Sequence, residues 1–215
     1  MGELNVSIYG EDFIEKGIDS ELMSDGWSID FERFLITLKD IRIGELKYAS
    51  AELIDLSVNT SGLGQAVVSS ALSVGEYRNP SFTIARIELS GSASKNNQSK
   101  TFNWHFDQET HYTDCETVVP IMKGRETKFE ITIHADHFFY DSLVSEEPLL
   151  KFQALANADL DENGEISQAE LATADIRDYD PGSTGNVDDL WTWLIAQSQT
   201  LAHVNGEGHC ISHTH

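Results

Sequence analysis

The chain has no run of 18 apolar residues, which a membrane-crossing helix needs. It opens MGELNVSIYGEDF, without the basic and apolar regions of a secretory leader. No direct membrane insertion is expected. Basic residues are scarce, 14 against 36 acidic ones, for a net charge of −22. So negative a surface repels phosphate backbones and anionic lipid, which argues against nucleic acid as a partner. It suits cations, a salty medium, or solubility alone. Methionine is rare: Met1, Met23 and Met122, none of them in the last third of the chain. Motifs of catalysis are missing too, with no HExxH, no nucleophile elbow and no Gly-rich phosphate loop.

Only two cysteines occur, Cys115 and Cys210, and neither sits in a CxxC or CxxH arrangement, so a zinc finger fails. Neither has the local context of a nucleophile. Two readings remain, a single disulfide in an oxidising compartment or two unrelated buried thiols. The disulfide is the expectation, and with it an extracytoplasmic location: periplasmic, surface-anchored or secreted, with the signal segment removed.

Hydrophobic residues make up 40% of the 215, enough to fill a core. From residue 4 to about 135 their period is mostly two. Strands are expected at Asn5–Tyr9, Trp27–Phe31, Phe34–Ile43, Ala66–Val74, Phe82–Leu89, Thr101–Phe106 and Lys128–His134, separated by Gly, Asn and Ser clusters such as 91–99. Glu11–Leu22 reads as a short helix or an ordered loop. After residue 145 the spacing turns helical. One helix is expected from Pro148, a second from the capping residue Ser167 to Ala174, and a third from Asn186 to before Gly206. The predicted fold is mainly β, an antiparallel sandwich or barrel over 1–145, with a small helical unit over 146–215 packed on it.

Within that unit, Asp159-Leu160-Asp161-Glu162-Asn163-Gly164-Glu165-Ile166-Ser167-Gln168-Ala169-Glu170 satisfies D-x-[DN]-x-[DN]-G-x5-E throughout. Calcium is a hard ion that takes six to eight oxygens. Asp159, Asp161 and Asn163 offer side-chain oxygens, Glu165 its carbonyl, Ser167 a direct or water-borne contact, and Glu170 both carboxylate oxygens. Residues 147–175 thus resemble the EF-hand family, which implies Ca2+. The resemblance also implies a paired loop, and Asp178–Asp189 is a degenerate candidate, lacking glycine at position 6 and ending in Asp. Without a methionine-rich groove the calcium reads as structural, not signalling.

Eight histidines invite a second metal, since neutral imidazole suits zinc, copper, iron or nickel. His134 and His137 close a strand and can share an ion only if the chain turns between them. His203 is expected at the end of the last helix, and His209 precedes Cys210. His213 and His215 read as a solvated tail. The stretches TFNWHFDQETHYTDCE, IHADHFFYDSL and HVNGEGHC are similar to pieces of uncharacterised exported bacterial proteins of metal-binding type. That resemblance implies His134, His137, His203 and His209 as the site and supports export, with His105 and His111 in reserve. It attaches no activity, and leaves any outer-membrane or surface partner unidentified.

Three functions follow as expectations. The first is an exported metal-binding protein with a structural calcium and a histidine site for Zn2+ or Cu2+, serving metal uptake or handling. The others are a calcium-dependent ligand-binding or adhesion module without chemistry, and a metal-dependent hydrolase.

Overall fold

The computed structural model describes residues 1–214. The elements run β1 (Gly2–Tyr9), α1 (Glu11–Glu15), β2 (Ser28–Ile43), β3 (Leu46–Tyr48), β4 (Glu52–Asp55), β5 (Gln65–Leu72), β6 (Gly75–Arg78) and β7 (Ser81–Lys95). They continue β8 (Gln98–Phe106), β9 (Thr110–Thr113), β10 (Val118–Ile121), β11 (Glu126–Ile133), a 3-10 helix (Ala135–Phe139), α2 (Gln153–Ala156) and β12 (Glu165–Ile166). Last come α3 (Gln168–Leu171), α4 (Leu190–Ser198), β13 (Ala202–Val204) and β14 (Ile211–Thr214).

The chain is mainly β, as its period of two predicts. The sheets are open, so the barrel alternative is set aside, and they are mixed instead of purely antiparallel. One sheet runs β13-β11-β1-β5, with β1 and β11 parallel; a second follows β12-β8-β7-β2-β3 and also takes in β4, β9 and β14, and β10 pairs with β6 as a two-stranded third. Sequence alternation cannot distinguish the parallel pair, because either direction buries alternate residues on a one-faced sheet. Along β2, Phe34, Ile36 and Leu38 are fully buried while their neighbours are not, and β1 does the same with Leu4, Val6 and Ile8. Both rows belong to one hydrophobic cluster, which also takes in Phe152, Leu155, Ile166, Leu171, Trp193 and Leu194 from the C-terminal part. Each such fully buried side chain contributes about 1.5–3 kcal/mol.

Several boundaries differ from expectation. The two strands predicted at 27–31 and 34–43 are one 16-residue strand. The stretch 91–99 is not a loop: β7 runs to Lys95 and turns through Asn96 and Asn97, both at positive φ, the geometry of a tight hairpin that asparagine tolerates. Gly91 serves close approach there, since a Cβ would lie 2.2 Å from the Asp30 carbonyl oxygen. The helix expected from Pro148 begins at Gln153, because Asp25 accepts from the Phe152 and Gln153 amides at 2.6 and 2.7 Å and caps it from the far end of the chain. The last helix is capped by Asp189, whose carboxylate accepts from the Thr192 amide at 2.8 Å. Asn186, the expected cap, has φ +61, whereas an N-cap requires extended backbone.

Cys115 and Cys210 form a disulfide, 95 residues apart. In the chain-entropy model a loop of that size stabilises the native state by roughly 4–5 kcal/mol. Reduction should lower the melting temperature by roughly 10–20 °C, at about 2–4 °C per kcal/mol for a chain of this size. Thermal unfolding with and without reductant checks this, with intact mass confirming that the oxidised protein is two hydrogen atoms lighter than the reduced form. Equal melting curves would contradict it.

Candidate metal centre

β11 ends at Ile133, and at His134 the backbone turns (φ −98, ψ 92) into the 3-10 helix. That turn meets the condition for His134 and His137 to share a side: their ring centroids lie 5.5 Å apart. His203 does not end the last helix as expected. α4 stops at Ser198, and His203 is the middle residue of β13, paired with Thr132 of β11. Its ring centroid is 4.4 Å from that of His134 and 5.4 Å from that of His137.

After β13 the chain reverses through Asn205 and Gly206, both at positive φ, and Val204 and Gly208 exchange hydrogen bonds of 2.9 and 3.0 Å. Gly208 permits this, since a Cβ would stand 2.6 Å from the Val204 carbonyl oxygen. His209 follows, its ring 4.8 Å from His203. Its carbonyl accepts from the Glu116 amide at 2.8 Å, and the adjacent Cys210 is bridged to Cys115. The rings of the four histidines are therefore neighbours, but among the described residues no donor set close enough to share one ion holds more than two of them, and His209 enters none.

Other groups surround them. Glu11 Oε2 lies 3.4 Å from His134 Nδ1, and Glu207 Oε2 4.0 Å from His203 Nδ1. His137 Nδ1 is 3.0 Å from Thr200 Oγ1. The Tyr140 hydroxyl donates to Asp136 Oδ2 at 2.7 Å. Asp136 Oδ1 and His203 Nδ1 are buried with no hydrogen-bond partner among the described residues. Leaving such an atom unpaired costs about 1–3 kcal/mol. Donor atoms of His134, His203 and Glu207 fall within 4.8 Å of one another, as do those of His134, Asp136 and His137. A cavity of about 630 Å³ adjoins the cluster, bounded by His137, His203, His209, Tyr140 and Glu207, with no lysine or arginine in its lining.

Burial and the neighbouring imidazoles push the His203 pKa down to about 3 and that of His137 to about 4. Both rings are neutral at pH 7, the form that binds a metal. Burial pushes Asp136 up, opposed by the Tyr140 hydrogen bond, and raises Glu11, opposed by His134. Glu207 lies four residues from His203 and could have been found from the spacing. Glu11 could not, because only the sheet pairing brings it here.

The remaining histidines lie elsewhere. His105 contacts Asn103 at 3.1 Å, and His111 contacts Thr83 at 2.9 Å. His213 is exposed, in keeping with a solvated tail, but it belongs to β14, opposite His111. His215 lies outside the described residues.

The acidic loop is a second candidate centre. Asp159, Asp161 and Glu170 have donor atoms within 4.8 Å of one another. Gly164 takes φ +88 at the sharp turn. Asp159 accepts from the Asn163 and Gly164 amides at 3.1 and 3.0 Å, and Asn163 accepts from the Glu165 amide at 2.6 Å. Ser167 and Glu170 cap α3 reciprocally. The Lys100 ammonium pairs with Asp159, a contact that holds the Asp159 carboxyl below its usual range. The flanking helices are single turns of four residues, shorter than expected. Nor does a second loop pair with the first. Glu165 and Ile166 pair in parallel with Thr101 and Phe102 of β8, and the Trp104 indole donates to the Ile166 carbonyl at 2.9 Å. In Asp178–Asp189 the carboxylates of Asp180 and Asp189 accept from nearby amides. Among the described residues no clustered donor set arises there.

No family model, curated protein or solved structure matches this chain.

The buried imidazoles link stability to pH. Unfolded histidine protonates near 6.5, while His137 and His203 resist protonation to about 4 and 3. Between these limits the unfolded chain binds more protons, so metal-free protein loses stability as pH falls from 6.5 toward 4. Asp136 and Glu11, shifted the other way, flatten the acidic end of that slope. Urea unfolding in chelator at pH 7.5 and 5.0 should therefore show a larger loss for wild type than for His203→Phe. An equal loss in both would refute the linkage.

Proposed function

We propose that this is an exported metal-binding protein that holds a divalent transition metal at His134, His137, His203 and His209 and a structural Ca2+ in the 159–170 loop. The observation carrying this reading is the run of neighbouring imidazoles from His137 through His134 and His203 to His209, beside a buried His203 Nδ1 that has no hydrogen-bond partner among the described residues. A metal ion would satisfy that atom, and Asp136 or Glu207 would complete the donor set. Imidazole and carboxylate suit Zn2+ or Cu2+, and neither cysteine offers a thiolate, because both are bridged. Export is supported by the disulfide. Among the described residues no helix is long and apolar enough to cross a membrane. The role is metal uptake or handling. The adjoining cavity is what favours the second reading, a metal-dependent hydrolase, since it gives the ion an open side. An adhesion module would leave the histidine cluster without a purpose.

Elemental analysis of protein purified without a nickel column should find about one zinc or copper per chain. His134→Ala and His209→Ala should each lose that metal and keep their calcium. Full zinc or copper stoichiometry in both variants would remove the site. A screen for hydrolysis with and without the metal separates handling from catalysis.

For calcium, a ligand bound only by the native state adds about 2.7 kcal/mol at a hundredfold excess over its Kd. Chelation should thus lower the melting temperature by roughly 5–10 °C. Glu170→Gln, which removes one coordinating oxygen, should abolish the difference. Identical wild-type curves in calcium and in chelator would exclude a structural calcium.

A further inference from the structure

β8 brings one ammonium group against the acidic loop. Glu165 and Ile166 lie in register with Thr101 and Phe102, and the Thr101 amide donates to the Gly164 carbonyl at 2.8 Å. Lys100, one residue earlier, pairs with Ala93 of β7, so the sheet fixes its backbone beside the loop. Its ammonium donates to Asp159 Oδ2. The Lys100 side chain is 21% exposed and that of Asp159 0%. Asp159 is the first position of the loop, and the same Oδ2 accepts from the Gly164 amide at 3.0 Å. Residues 159–170 carry the carboxylates of Asp159, Asp161, Glu162, Glu165 and Glu170, and no lysine or arginine. Among the described residues, Lys100 is the one basic group paired with any of them.

A metal-free loop of this composition repels itself, and a buried carboxylate without a counter-charge is costly. The Lys100 ammonium meets both needs. It does so at a carboxylate that calcium would also take, so the two cations compete for Asp159. A positive charge a few ångströms from the ion also weakens binding by direct repulsion. Loops of this kind vary in affinity over decades through the charge around the ion.

We infer that Lys100 is an internal competitor for the calcium loop: its ammonium holds Asp159 in the metal-free protein and shifts filling to higher calcium concentration than the loop alone would need. This deepens the calcium reading proposed above and rests on it.

Two variants test it. Lys100→Gln removes the charge and keeps a long polar side chain, whereas Lys100→Arg keeps the charge. Calorimetric titration with calcium alone should give a Kd roughly tenfold tighter for Lys100→Gln, the scale of one partly screened charge contact, and close to wild type for Lys100→Arg. In chelator Lys100→Gln should melt below wild type, because Asp159 has lost its counter-charge. At one calcium concentration the rise in melting temperature should therefore be larger in Lys100→Gln than in wild type. An unchanged or weaker Kd in Lys100→Gln overturns the inference. So does a gain in affinity shared by Lys100→Arg, since the charge is then not its cause. If neither wild type nor Lys100→Gln takes up calcium while the variant still melts lower in chelator, the calcium reading falls, and the competition with it. Lys100 then stands only as the counter-charge of Asp159.

Discussion

The position of β11 between β1 and β13 is the constraint on which the candidate centre depends. Its parallel ladder with β1 sets Tyr9 beside Thr132, and its antiparallel ladder with β13 sets His203 beside the same Thr132. Three distant parts of the chain therefore end on one rim, bringing Glu11, His134 and His203 together. A slip of one residue in either ladder would turn the side chains of that strand to the opposite face. The rim is anchored in the core by Ile131, Ile133, Val204 and Ala202, which are almost fully buried.

The fourth histidine comes by another route. His209 is on no strand, and its place is set by the Asn205–Gly208 reversal, the Glu116 amide and the Cys115–Cys210 bridge. The disulfide thus has a local role beside its effect on the unfolded chain. It anchors the segment that carries one imidazole and leads into β14, which pairs with β9.

The acidic loop is integrated in a comparable way. In place of a second loop, Ile166 uses the edge of β8, and its carbonyl receives the Trp104 indole. The two single-turn helices beside the loop are too short to be stable alone. They persist because Leu155, Ala156 and Leu171 are buried in the common core and because Asp25 and Ser167 cap their first turns.

The sequence by itself determined the β character of the chain, through the alternation in β1 and β2. It also determined the identity of the acidic-loop residues, whose spacing is local. The same holds for Ser167 as a helix cap, which acts three residues away. The four-histidine set was legible only by resemblance, since nothing in the spacing of 134, 137, 203 and 209 dictates a meeting. Tertiary structure decided that the β1–β11 pair is parallel, that His203 lies in a strand, and that Asp25 caps a helix across the fold. It also decided that Glu11 faces His134. These are relations between segments far apart in the chain, set by strand register and by shared burial, whereas propensity, periodicity and motif spacing describe only near neighbours.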